Sequence, residues 1–155
     1  MDCLDAETDT VQLGRLAGDL GFLLRLAQVK VYERYFRELG EQRVNPGEFS
    51  VLWAIALNPG IRQSALCQRL IIKRSHMAKL AKSLEERGLV TRSVPDDDRR
   101  GVELTVTSKG QTLVDDIADW FFAFEDRLGS GLTAAERGRL VQLLLKFITT
   151  ENGAA

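Results

Sequence analysis

The residues best equipped for chemistry are concentrated between Arg62 and Arg100, where ten basic residues outnumber five acidic ones for a net +5, while the rest of the chain sums to −6. The whole-chain charge of −1 hides this, and a polyanion would meet the local distribution rather than the sum. Lys73, Arg74, Ser75, His76, Lys79 and Lys82 follow one another closely, Arg92 comes next, and Asp98, Arg99 and Arg100 close the stretch. Cationic groups neutralise phosphate, and hydroxyl and imidazole groups exchange hydrogen bonds with base edges and backbone. Equipment for bond-making is missing. His76 is the one histidine, carboxylates do not cluster in an apolar setting, and there is no glycine-rich phosphate loop. Cys3 and Cys67 with one histidine are too few for a disulfide framework or a zinc site of ordinary ligand count. The expectation is a binding protein with no catalytic residue, no metal and no cofactor.

Those side chains need elements to hold them. Residues 73–87 read as a helix whose apolar stripe is Met77, Leu80, Ala81 and Leu84, which turns Ser75, Lys79 and Lys82 outward. Gly88 stands where a left-handed stop belongs. Lys73, Arg74, Ser75 and His76 occupy its leading turn, where backbone amides also point toward phosphate. Residues 62–70 read as a shorter helix with Ala65, Leu66 and Leu70 inward and Cys67 as a small core residue. Ile71-Ile72 forms the turn, and the pair makes a helix-turn-helix. Leu89 to Val94 and Val102 to Val106 read as strands joined by the polar loop Pro95 to Gly101. An arginine at such a tip can enter a narrow A·T-rich minor groove. Three consecutive aspartates there would repel phosphate if left free, so at least one is expected to orient a wing arginine.

Helical segments flank this unit. Residues 10–39 carry Leu13, Leu16, Leu20, Leu23, Leu24, Ala27, Val31 and Tyr35 at helical spacing and read as one long helix, despite Gly14, Gly18 and Gly21. Asn45-Pro46-Gly47-Glu48 is a capping-box start for a helix through Phe49, Leu52, Trp53 and Ala56 to Asn58-Pro59-Gly60. Another long helix starts near Thr107 or Ser108, with Leu113, Ile117, Trp120, Phe121, Phe124 and Leu128 on one side, and Gly129-Ser130-Gly131 breaks it. Thr133 to Glu136 is a second capping box, opening a last helix with Leu140, Leu143, Leu144, Phe147 and Ile148. No apolar run approaches the ~20 residues that span a bilayer, and the acidic start is no secretory signal, so the expected location is cytoplasmic, with no membrane partner.

At this point the chain resembles the MarR family of bacterial regulators. The resemblance is carried by Ser75-His76-Met77-Ala78-Lys79-Leu80, by Leu84 to Arg92, and by Asp98 to Gly110, which matches the family's Asp-x-Arg wing and following Leu-Thr-x-x-Gly region. It extends over nearly the whole chain. It implies a mainly α fold with a small β-hairpin wing: a winged helix-turn-helix over 45–107, with 1–44 and 108–155 as the two parts of a helical dimerisation region. It also implies a homodimer on double-stranded pseudopalindromic DNA, a repressor in the family's manner, released by a small anionic aromatic compound or its coenzyme A thioester. Asp98 would hold Arg100 for the minor groove. The effector would lie between the dimerisation helices and the winged domain, where Phe22, Arg25, Phe49, Trp53, Trp120 and Phe121 are candidates. Two departures stand out. His76 replaces a frequent threonine, which points to a different half-site, and Gly21 stands where the peroxide-sensing branch keeps its reactive cysteine. Two other readings stay open: a winged-helix protein–protein interaction module without DNA binding, and a regulator that needs no ligand.

Overall fold

A computed structural model describes residues 11–39, 44–95 and 101–151. The chain divides into two compact units, Met1–Phe49 and Ser50–Ala155. The first holds a short 3-10 turn at Gly14–Gly18 and helix α1, Leu20–Leu39. The single helix expected over 10–39 is therefore broken. Gly14 sits at φ +53° and Asp19 is extended, and no residue of Gly14–Gly18 is buried. Three glycines, each about 1 kcal/mol worse than alanine in a helix, have no packing to offset them here. Tyr35 is the buried residue of α1. Its hydroxyl donates to the Val44 carbonyl at 2.7 Å, and burial, reinforced by the Glu48 carboxylate, pushes its pKa up to about 12.

Asn45 and Glu48 form the expected capping box. The Glu48 N–H donates to Asn45 Oδ1 at 2.8 Å, and the Asn45 N–H donates to Glu48 Oε2 at 3.2 Å. Helix α2, Pro46–Leu57, buries Phe49, Val51, Leu52 and Ile55, whereas Trp53 and Ala56 are half-buried. A helix apolar on every side gives periodicity no single face to mark.

In the second unit the order is β1 (Ile61–Arg62), α3 (Gln63–Leu70), α4 (Arg74–Glu86), β2 (Val90–Ser93), β3 (Glu103–Val106), α5 (Ser108–Asp126) and α6 (Ala134–Glu151). The strands form an antiparallel sheet in the order β1-β3-β2, with Val90 opposite Val106, Ser93 opposite Glu103, and Ile61 opposite Leu104. The hairpin was legible in the sequence, but β1 was not, because two residues carry no alternation to detect. Its neighbours bind alongside: the Gly60 N–H donates to Leu104 O of β3 at 3.0 Å, and the Gln63 N–H to Val102 O, just ahead of β3, at 2.8 Å. Leu66, Met77, Ala81, Leu84, Leu89, Val90, Leu104, Val114, Ile117 and Phe124 are buried. Ala65, expected inward, is exposed, and Cys67, expected in the core, is only half-buried. An eight-residue helix offers little more than two turns, and Leu66 takes its buried position.

The corner joining the wing to α5 has a tight backbone contact. Thr107 Oγ1 accepts from the Gly110 N–H at 3.0 Å and donates to the Gly88 carbonyl at 2.7 Å, while the Thr107 N–H donates to Leu89 O at 3.0 Å. A Cβ at Gly110 would collide with the Leu89 carbonyl oxygen and sit 2.9 Å from its carbon. The Thr-x-x-Gly spacing seen in the sequence thus has a steric reason. At α6, Thr133 and Glu136 close the second capping box, with the Thr133 N–H donating to Glu136 Oε2 at 2.8 Å. These Thr133 hydrogen bonds hold the Glu136 carboxyl below its ordinary range.

Candidate nucleic-acid interface

Helix α4 is fixed by its buried stripe, Met77, Ala81 and Leu84, with Leu80 half-buried beside them. Ser75, Lys79, Lys82 and Glu86 fall four, three and four residues apart, and so share the opposite face of a helix with 3.6 residues per turn. Lys73, Arg74, Ser75, His76, Lys79 and Lys82 are all exposed. The structure therefore places every site candidate on this helix at the surface, with Ser75, Lys79 and Lys82 on one outward line and Lys73, Arg74 and His76 around its start. Helix α3 meets α4 through Ile71, whose φ of 55° turns the chain.

The charges on α4 run against its own dipole. Lys73 and Arg74 stand at the amino end, where partial positive charge gathers and no acidic side chain sits in the first turn. Lys73 makes no side-chain cap. Glu85 and Glu86 stand at the carboxyl end, where the last turn holds no base. Each placement costs the isolated helix about 0.3–1 kcal/mol. A phosphate at the amino end would reverse the sign of that interaction and accept from the uncapped amides.

Arg92 lies on β2, exposed with Thr91 and Ser93. Its Nη1 is 3.4 Å from Glu85 Oε2, a pair that ties the wing to the recognition helix across the Gly88 turn. Lys82 Nζ lies 3.7 Å from Glu86 Oε1 on the outward face. Neither acid was singled out from sequence; the signal available was two carboxylates in the last turn of an otherwise basic helix. Lys109 Nζ donates to the Arg87 carbonyl at 2.8 Å, at the edge of an open cleft of about 520 Å³. Asp98, Arg99 and Arg100 lie outside the described residues.

The aromatic candidates fall in both units. In the first, Phe22 is half-buried with the Arg25 guanidinium over its ring at 5.6 Å from the centroid, and Phe49 is 1% exposed. In the second, Trp53 meets Phe122 edge-on at 4.9 Å, Trp120 stacks on Phe124 at 5.3 Å, and Phe121 meets Phe122 edge-on at 5.6 Å. Trp53, Trp120 and Phe121 thus belong to aromatic clusters, and each is half-buried.

Comparisons with known proteins agree with this arrangement. A family model described as the MarR family matches residues 44–101, the segment that contains α2, α3, α4 and the first wing strand. A proposed transcriptional regulatory protein for the hcr operon of Thauera aromatica is 35% identical over 145 residues, covering 92% of this chain and 87% of its own. Among solved structures, the transcriptional repressor CouR bound to a 23-mer DNA duplex superposes with a TM-score of 0.80 at 30% identity, covering 90% of this chain and 99% of that one. CouR bound to p-coumaroyl-CoA gives 0.80 at 28%, covering 90% and 98%.

Proposed function

This chain belongs to the MarR family of winged helix-turn-helix transcriptional regulators, and from that premise we propose that it is a homodimeric repressor that binds pseudopalindromic double-stranded DNA and is released by a small anionic effector. The observation that carries the DNA-binding part is the charge pattern of α4. A helix that keeps cations at its amino end and along its outward face, against its own dipole, is arranged for an anionic partner. In this scheme Ser75, His76 and Lys79 enter the major groove, Lys73, Arg74, Lys82 and Arg92 meet phosphates, and Arg100, held by Asp98, reaches the minor groove beside Arg99. The winged unit is residues 45–107, and 1–44 with 108–155 form the dimerisation region. Exposed apolar side chains support a second copy: Leu140, Val141, Leu143, Leu145, Phe147 and Ile148 on α6, and Leu20, Leu23, Val29 and Phe36 on α1.

For the effector we propose an aromatic acid or its coenzyme A thioester, on the strength of the repressor solved with p-coumaroyl-CoA and of the Arg25 guanidinium lying over the Phe22 ring. The test is selection of duplex DNA from a random pool by the purified protein, followed by sequencing. An enriched palindrome with half-sites about one helical turn apart is the expected result. Retention of no duplex above background, with the protein folded, would instead favour a protein-interaction module. Titration with aromatic acids and their thioesters then identifies the effector by loss of binding. Linkage requires that DNA weaken effector binding by the same factor.

A further inference from the structure

Glu85 is out of place in two respects. It sits in the last turn of α4, where the helix dipole disfavours a carboxylate, and it puts a negative charge on the flank beside the basic outward face. Its partner is Arg92 of β2, at 3.4 Å, with the two side chains 42% and 34% exposed. An exposed pair of this kind adds little to stability, about 0–1 kcal/mol, so stability does not account for it. The contact does impose a position. Glu85 and Arg92 lie on either side of the Gly88 turn, at φ +71°, and Arg92 stands opposite Leu104 of the buried centre of the sheet. A long, rotamer-rich side chain on a firm strand is thereby held toward α4.

We propose that Glu85 is a positioning residue for DNA discrimination. It holds the Arg92 guanidinium in the corner between recognition helix and wing, where a correctly docked duplex brings a phosphate to it, and keeps it from reaching phosphates in other registers. The proposal rests on the DNA-binding function above. Without the carboxylate, Arg92 samples more positions. It then gives more contacts to arbitrary DNA and fewer well-placed ones to the specific site. Glu86 draws Lys82 along the helix face in the same sense, but of these two pairs Glu85–Arg92 is the one that crosses between two elements.

The experiment uses the full chain and two probes, the selected duplex and a duplex of equal length with shuffled sequence, over a range of salt. E85Q should weaken the selected duplex and tighten the shuffled one, each roughly two- to fivefold, the range an exposed ion pair commands. Its shuffled-duplex salt slope should steepen by about 0.9, the value of one added phosphate contact. In an R92Q background the same substitution should change neither duplex, and E85D should restore most of the discrimination. Equal tightening on both duplexes would reduce Glu85 to a repulsive charge and overturn the proposal, as would persistence of the E85Q effect without Arg92, or no effect at all. A wild-type protein that cannot tell the two duplexes apart would remove the DNA-binding premise itself, which separates the two failures.

Discussion

Gly110→Ala offers the sharpest check on the corner between β3 and α5. Gly110 is buried in the first turn of α5, and an added methyl group would overlap the Leu89 carbonyl oxygen and sit 2.9 Å and 3.3 Å from the Leu89 carbonyl carbon and Cα. The obstruction is backbone, so no rotamer change clears it. Moving α5 away would strain the bonds from the Thr107 N–H to Leu89 O and from Thr107 Oγ1 to Gly88 O. Overpacking of this kind costs about 1–3 kcal/mol. Alanine gains back no more than about 1 kcal/mol through helix propensity. Because the obstruction is backbone the cost falls near the top of that range, and a net loss of about 2 kcal/mol follows, or roughly 4–8 °C in melting temperature for a protein of this size. Urea and thermal unfolding at fixed protein concentration measure it. Gly138→Ala in α6, where nothing lies within 4 Å, is the control expected to be neutral or slightly stabilising. A Gly110→Ala protein as stable as wild type would refute the close-approach explanation.

Ile71 holds φ at 55° while 69% exposed, so Ile71→Gly should stabilise the fold by about 0.5–1 kcal/mol, read as a higher urea midpoint. Lys82→Ala should weaken selected and shuffled duplexes alike and flatten each salt slope by about 0.9, as measured by anisotropy titration. Arg100→Ala should cost most on sites with A·T-rich flanks, and Asp98→Ala should weaken binding despite the gain in positive charge; tighter binding by the latter would undo the orienting role given to Asp98. Tyr35 ionises at about 12 in the folded chain against about 10 when unfolded, so its contribution is complete below pH 10 and is lost as pH rises toward 12. Unfolding free energy measured across that window should fall in wild type and fall less in Tyr35→Phe.

The sequence was most legible where local chemistry and tertiary packing agree. Both capping boxes, the Gly88 stop, the hairpin and the outward face of α4 follow from residues a few positions apart. The break at Asp19 was missed because leucines continue at helical spacing through Gly14 and Gly18, and only the lack of burial shows that the stripe has nothing to hold it. Ile71 was placed in the turn but not in a left-handed conformation, since a β-branched residue is the wrong type for it. Glu85 escaped notice because its partner lies on another element, beyond any helical repeat.

The position of β3 has a consequence for how readily this protein could change its preferences. With β1 on one side and β2 on the other, β3 has its register fixed twice, once through Ile61 and once through the hairpin ladder. A hairpin held only by its own turn would slip when that turn is lengthened or shortened. Here the returning strand stays anchored at Leu104 by Gly60 and Ile61 whatever joins Ser93 to Glu103. Insertions and deletions between Ser93 and Glu103 can thus accumulate while the sheet beneath them keeps its register.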